Sequence, residues 1–330
     1  MDPLVAGWCQ RHLGSAPVAD LLRSDRMSAV RGVRLADGRE VVVKVRPAQA
    51  RLAACAAVQG AVRAAGLACP AILAGPLPLA EGPHPVWVAD DQGEPVDARG
   101  LAVSAETWEG QGWQGAGDLG PDGYARLLAR IVAAAPPVAA LPTLEPAVPW
   151  LWWDHPAPAR TWPPPASQRW DPHRVIAAMP GLIPEVARRA RARLLRADVA
   201  SLPLVAGHGD FEPQNCRWVP GPDGDRLVVH DWDSVVARPE AVLAGNSAAT
   251  YWPDPDRPRV PGLVEHEAYV DAYADQRGRS WTALECEVGH ATAAWVLAYI
   301  AAFEHLKDGP GPATAHLLGL GRDRLERAGA

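Results

Sequence analysis

Val205-Ala206-Gly207-His208-Gly209-Asp210-Phe211-Glu212-Pro213-Gln214-Asn215-Cys216 is the stretch on which the reading of this chain turns. A short apolar run leads into a loop that carries an aspartate and, five residues later, an asparagine. Downstream, Val228-Val229-His230-Asp231-Trp232-Asp233 closes a second apolar strand on a carboxylate. Phosphoryl transfer needs this set: one carboxylate to meet an attacking hydroxyl, plus an amide oxygen and a second carboxylate as hard ligands for Mg²⁺. Such an ion keeps several waters and binds through one or two protein oxygens plus the nucleotide, so a loop asparagine and a strand-end aspartate suffice.

Working outward, Val33 and Leu35, then Ala36-Asp37-Gly38-Arg39, then Val41-Val42-Val43-Lys44-Val45 predict a β-hairpin, since Asp-Gly between β-branched runs is a strong turn signal. Residues 50 to 66 predict a helix ended by Gly66 and Pro70. Pro85 to Val88 and Ala102 to Ala105 predict two further strands. After Gly110 the pattern turns helical, with Tyr124, Leu127, Leu128, Ile131 and Val132 at helical spacing, an Arg-rich helix near Val186 to Leu195, and helices over Glu265 to Ala274, Ala283 to Lys307 and Ala313 to Arg327. Pro142 to Pro172, rich in Pro and Trp, predicts an irregular segment packed by aromatics. The expectation is an α+β chain in two lobes, an antiparallel sheet with one helix and then a larger, mainly helical body.

In this order the motifs resemble those of the aminoglycoside phosphotransferases and related small-molecule phosphotransferases, which share the protein-kinase-like bilobal fold and whose catalytic loop runs His-Gly-Asp, four residues, Asn. The resemblance covers most of residues 20 to 240 and implies an N-lobe at 1–103, a hinge at 104–110 and a helical C-lobe at 111–330. By position it implies Asp210 as the catalytic carboxylate, Asn215 and Asp231 as Mg²⁺ ligands, and Lys44 as the lysine on the α and β phosphates. His208 and Gly209 would shape the loop. Glu106 and Trp108 fall in the hinge that meets the base through its backbone, and Ser28 closes a nucleotide-covering turn, Ser24 to Ser28, that lacks glycine. The implied activity is transfer of the γ-phosphoryl group of ATP or GTP to a hydroxyl of a small molecule, an antibiotic or a metabolite. A further departure stands out besides that turn. Kinases orient the strand lysine with a glutamate from the following helix, yet Pro47 to Pro70 contains no Asp or Glu, with Gln49 and Gln59 the only neutral amides there. The alternative is therefore a catalytically weak or inert nucleotide-binding module of the same fold.

A formal charge of -6 gives no footprint for nucleic acid or an anionic membrane. Five scattered cysteines, no basic-then-apolar leader and no apolar run near ~20 residues predict a reduced, cytoplasmic protein without a disulfide framework, zinc site or membrane span. Gly110-Gln111-Gly112-Trp113-Gln114-Gly115 fits G-x-G-x-x-G, but glycines and a proline follow it instead of a helix, and it lies after Lys44, so a glycine-rich hinge exit is the reading. Asp233 reads equally as a stiffener of the metal loop or as an exposed turn residue. His155 and His173 lack ligand spacing and read as surface or packing residues. Glu285, Glu287 and Glu304 read as a solvated helix face ahead of an acceptor pocket.

Overall fold

The computed structural model describes residues 2–25, 28–82, 84–89, 95–110, 112–113, 119–154, 171–221, 224–252, 259–307 and 309–330. Helix α1 (Pro3–Leu13) starts on Asp2, whose carboxylate accepts from the Leu4 amide, and stops at Gly14 in the left-handed region. Strands β1 (Pro17–Asp25), β2 (Ala29–Leu35) and β3 (Glu40–Pro47), helix α2 (Arg51–Ala64) and strand β4 (Ile72–Pro78) follow. A small hairpin of β5 (Trp87–Ala89) and β6 (Pro95–Asp97) precedes β7 (Leu101–Thr107), which returns to the middle of an antiparallel sheet ordered β1-β2-β3-β7-β4.

The period of two sorts this sheet into a dry face and a cleft face. Val33, Leu35, Val41, Val43, Val103 and Ala105 pack with Trp8 and Cys9 of α1 in one buried cluster. The alternate residues Val42, Lys44 and Arg46 of β3 look the other way, and the register sets Lys44 opposite Ser104 and Val42 opposite Glu106. The β2–β3 hairpin forms where predicted, with Gly38 at φ 88° and the Arg39 guanidinium folded back on Asp37. Sequence reading did not anticipate α1, β1 or β4. The inward stripe of α1 is just Val5, Trp8 and Cys9. β1 is an edge strand with polar residues and two register shifts, and β4 is broken by Gly75-Pro76.

The second lobe is built from α3 (Gly120–Ala134), α4 (Pro172–Ala178), α5 (Ile183–Leu194), α6 (Ala197–Ala200), β8 (Leu204–His208), β9 (Cys216–Val219), β10 (Arg226–Val229), β11 (Val235–Pro239), α7 (Glu240–Thr250), α8 (Leu263–Arg277), α9 (Ala283–Lys307) and α10 (Pro312–Arg327). β8 pairs with β11 and β9 with β10, both antiparallel. Helix α7 escaped prediction because Ala241 to Thr250 are all buried, so no polar face marks a helical period. It lies so close to α9 that a Cβ on Gly245 would stand 2.4 Å from the Gly289 carbonyl oxygen; glycine is what permits the contact. Helix α9 is long and apolar enough to cross a membrane by composition alone, more than the sequence reading allowed. Yet 72% of its apolar window is buried inside the fold, where it packs against α5, α7 and α10.

Ala54, Cys55, Val58 and Val62 of α2 join the large core of the helical lobe, with Tyr124, Leu128 and Trp232, and not the cluster beneath the sheet. Between α8, α9 and α10, His266, His290 and His316 gather around the fully buried Arg324, which donates to His316 Nε2 at 2.8 Å and to the Pro261 carbonyl at 3.0 Å. Glu267 stands 3.6 Å from His290 and also pairs with Arg327. Burial, then the Arg324 charge, holds His290 and His316 down to about 4 from 6.5, and His266 well below its usual value. These imidazoles are therefore neutral in the folded state and take up protons on unfolding at acid pH. Their stabilising contribution is complete above about pH 6.5 and is lost as pH falls toward about 4, by roughly 3 kcal/mol for one such group. The thermal midpoint is expected to drop steeply across that window, and His290→Asn to flatten the slope; a wild-type midpoint that stays level from pH 7 to 4.5 would contradict this.

Candidate active site

The loop that carries Asp210 leaves β8 at His208, which lies opposite Val235 of β11, and Gly209 N–H donates to the Ser234 carbonyl at 2.8 Å. The strand entering one loop is thus sewn to the strand leaving the other. The fully buried His208 ring accepts from the Asp210 amide at Nδ1 (3.2 Å) and donates from Nε2 to the His230 carbonyl (2.8 Å). Burial first, with Lys44 adding, holds its pKa at about 4, partly offset by that carbonyl. A neutral imidazole with both nitrogens engaged is a pin between the two loops.

Asn215 donates its amide to two oxygens of Asp210, the main-chain carbonyl and Oδ2, each at 2.8 Å. This spends its nitrogen and leaves its side-chain oxygen as the acceptor. Burial, then repulsion from Asp231, pushes Asp210 up to about 7 against the Asn215 hydrogen bond. Burial also raises Asp231, Lys44 opposing and Asp233 adding. Asp231 has φ 61° and ψ 47°, the one positive φ outside glycine among the described residues. An L-residue holds that conformation only where its surroundings enforce it. Glu212, which sequence reading passed over although it lies two residues from Asp210, is raised well above its usual range by burial and by both aspartates. Carboxylates that burial and mutual repulsion all push upward, beside an amide oxygen, form a hard oxygen set short of positive charge, which fits a divalent cation. No group of three or more His, Cys, Asp and Glu among the described residues is arranged as a metal cluster.

The cleft face of the sheet supplies the opposite charge. Lys44 is buried, with Nζ 3.4 Å from Glu106 Oε1. Burial alone would lower its pKa, but Glu106, then Asp233 and Asp231, raise it. Asp233 is not the exposed turn residue that was one of its two readings. It is buried and paired with Arg46 at 3.1 Å, and although burial opposes ionisation, Arg46 and Lys44 hold its pKa down. Arg51 of α2, fully buried, donates to the carbonyls of Asp233 (2.7 Å) and Val235. Gln59, one of the two amides weighed as a lysine partner, is bound to the Pro70 carbonyl at 2.9 Å.

In the hinge stretch, Glu106 is still within β7, its backbone between Val42 and Ile72, and its carboxylate is what reaches the cleft. The Thr107 and Trp108 amides donate to Ala71 and Glu40, the latter at a long 3.3 Å. The Trp108 indole lies over Gly32 of β2, where a Cβ would come within 2.3 Å of the ring. Ser28 closes the β1–β2 turn, whose residues 26 and 27 lie outside the described residues. Of the G-x-G-x-x-G stretch, Gly110, Gly112 and Trp113 are described; Trp113 bridges to Trp218 of β9 with stacked rings.

Support for the loop comes from residues that sequence reading missed. The Gly209 carbonyl accepts from Trp150 Nε1 (2.8 Å) and Asn246 Nδ2 (3.0 Å), and the Phe211 carbonyl from Ser247 Oγ (2.7 Å). The signal was there: Asn246-Ser247 is a polar pair inside an apolar run, and buried polar groups seek partners. Trp150 also meets Tyr299 of α9, whose phenol is pushed up by burial and then by the Asp210 charge. Trp152 and Trp153 are buried, His173 packs on Trp295, and His155, Trp162 and Trp170 lie outside the described residues. Glu285 forms a capping box with Thr282, Glu304 caps α10 through Gly311, Ala313 and Thr314, and Glu287 pairs with Arg193. None of the three is a merely solvated acid.

No protein-family model matches the sequence, and no curated protein matches it. Solved structures do match along the whole chain. A microcompartment-associated aminopropanol kinase is 15% identical, with 98% of this chain and 95% of that chain covered and a TM-score of 0.56. A Ralstonia eutropha JMP134 chain provisionally assigned as an aminoglycoside phosphotransferase is 14% identical, with 99% and 97% covered and a TM-score of 0.55. The amicoumacin kinase hAmiN, solved with AMP-PNP, Ca²⁺ and Ami, is 9% identical, with 99% and 93% covered and a TM-score of 0.54. At such identities the likeness establishes architecture, and the chain therefore has the protein-kinase-like fold that aminoglycoside phosphotransferases share with related small-molecule kinases.

Proposed function

We propose that this chain is a Mg²⁺-dependent small-molecule kinase that moves the γ-phosphoryl group of ATP or GTP to a hydroxyl. One observation carries the reading: Asn215 binds both the carbonyl and the carboxylate of Asp210, and its own main-chain carbonyl accepts from the His230 amide at 2.8 Å, next to Asp231, which is held in a left-handed conformation. This arrangement supports a site in which the three groups that phosphoryl transfer requires would act together. Asn215 and Asp231 would hold the ion, which when bound neutralises charge on the β and γ phosphates. Lys44 would meet the α and β phosphates. Asp210, made more basic by its surroundings, would orient the acceptor hydroxyl and take its proton late, because the transition state is loose and positioning dominates. The acceptor would enter beside Trp150 and Tyr299. Ser28 would cover the phosphates, Trp108 and the β7 exit would flank the base, and the lobe boundaries would fall near 103 and 110. Neighbours of this fold that act on amino alcohols and antibiotics, one of them solved with a nucleotide analogue and a divalent cation, support the reading. Five free thiols accord with a cytoplasmic location, where ATP and GTP are supplied.

The rival, an inert module, drew on the lack of acid in α2, and Glu106 weakens that case by lying beside Lys44. Thermal unfolding with nucleotide, with and without Mg²⁺, separates the two. A site filled to a hundred times its dissociation constant adds about 2.7 kcal/mol, so the midpoint is expected to rise with ATP or GTP and to rise further with Mg²⁺. No shift at millimolar nucleotide would favour the rival. Nucleotide consumption across a panel of hydroxylated antibiotics and metabolites then identifies the acceptor.

A further inference from the structure

We infer that Glu106 is the positioning residue for Lys44, a counter-ion carried by the sheet in place of one on the helix after the lysine strand. The inference rests on the kinase reading of the same cleft. Helix α2 offers no acid, since residues 51 to 64 include neither Asp nor Glu. Glu106 lies two residues beyond the partner of Lys44 in the β3–β7 register, on the same face, with side chains 6% and 9% exposed and 3.4 Å between Nζ and Oε1. β7 is hydrogen-bonded on both sides, by β3 and β4, so the backbone beneath this carboxylate has nowhere to go.

The charges around the pair say what Glu106 does. Asp231 and Asp233 also attract Lys44, but Asp233 is paired with Arg46 at 3.1 Å, which leaves Asp231 as the competing partner. Without Glu106 the ammonium would be drawn onto Asp231, neutralising a carboxylate needed by the cation and withdrawing from the phosphates. Glu106 thus keeps lysine and metal on separate acids. Arg51 completes the exchange of roles: where a helix acid would reach the lysine, α2 presents a buried guanidinium to the carbonyls that follow Asp231.

The test measures nucleotide affinity and the Mg²⁺ concentration for half-maximal binding in wild type, Glu106→Gln, Glu106→Asp, Lys44→Met and the Lys44→Met/Glu106→Gln double variant. Glu106→Gln is expected to weaken nucleotide binding by about tenfold or more and to raise the Mg²⁺ requirement, with Glu106→Asp in between. In the Lys44→Met background it should add no further loss, because its effect runs through the lysine. Affinity and Mg²⁺ requirement within twofold of wild type, or losses that simply multiply, would overturn the inference. A second cycle guards against misfolding: Lys44→Met and Glu106→Met should each lower the thermal midpoint, and the double variant should recover much of it, since removing both members of a buried pair costs less than removing one. Additive midpoint losses would again count against the pair. A wild-type chain blind to nucleotide would bring down the kinase reading instead, and the stability cycle alone would then decide whether the two charges are coupled.

Discussion

Asp210→Ala is expected to reduce phosphoryl transfer by about a thousandfold or more while leaving nucleotide affinity within a few-fold of wild type. The geometry explains the split. Asn215 makes two bonds to residue 210, and the one to the main-chain carbonyl survives the substitution, so the amide keeps its orientation. What disappears is the buried carboxylate, the group proposed to meet the acceptor hydroxyl. The loop should keep its shape, because His208, Trp150 and Asn246 grip its backbone and not the lost side chain. Single-turnover transfer and nucleotide titration on the same preparation check both halves. Full turnover in this variant would show that the acid has been given the wrong role.

Asp231→Asn is expected to abolish the part of nucleotide binding that depends on Mg²⁺, and with it nearly all turnover, without lowering the thermal midpoint of the nucleotide-free protein. Asparagine tolerates the left-handed backbone better than most residues, so φ 61° can be kept. Removing one charge also relieves the crowding that raises Asp210 and Glu212. A functional carboxylate held at a cost to stability behaves this way, whereas a structural one would lower the midpoint when replaced. Calorimetry with and without Mg²⁺ decides; retention of the metal-dependent increment would remove Asp231 from the ligand set.

The candidate site residues could be named from the chain because the motifs that carry them are local. His208 to Asn215 and the strand closing on Asp231 are continuous segments, and Asp37-Gly38 places Lys44 on a hairpin by turn geometry alone. Contacts that depend on strand register were not legible. That Glu106 faces Lys44 follows from the pairing of β3 with β7, in which Lys44 lies opposite Ser104, 60 positions further along the chain, which no local pattern encodes. Likewise α7 supplies Asn246 and Ser247 to the loop, yet a helix buried on every side leaves no polar stripe to read. The acids Glu285 and Glu304 illustrate the converse: their spacing suggests a face, but they serve helix ends close by in the chain.

The allegiance of α2 ties the sheet to the helical lobe. Its apolar side is part of the large core, and Arg51 fastens it to the strand after Asp231. Were the lobes to separate, the strands would have to part from this helix and break the Arg46–Asp233 pair, with Lys44 and Glu106 leaving together on the sheet.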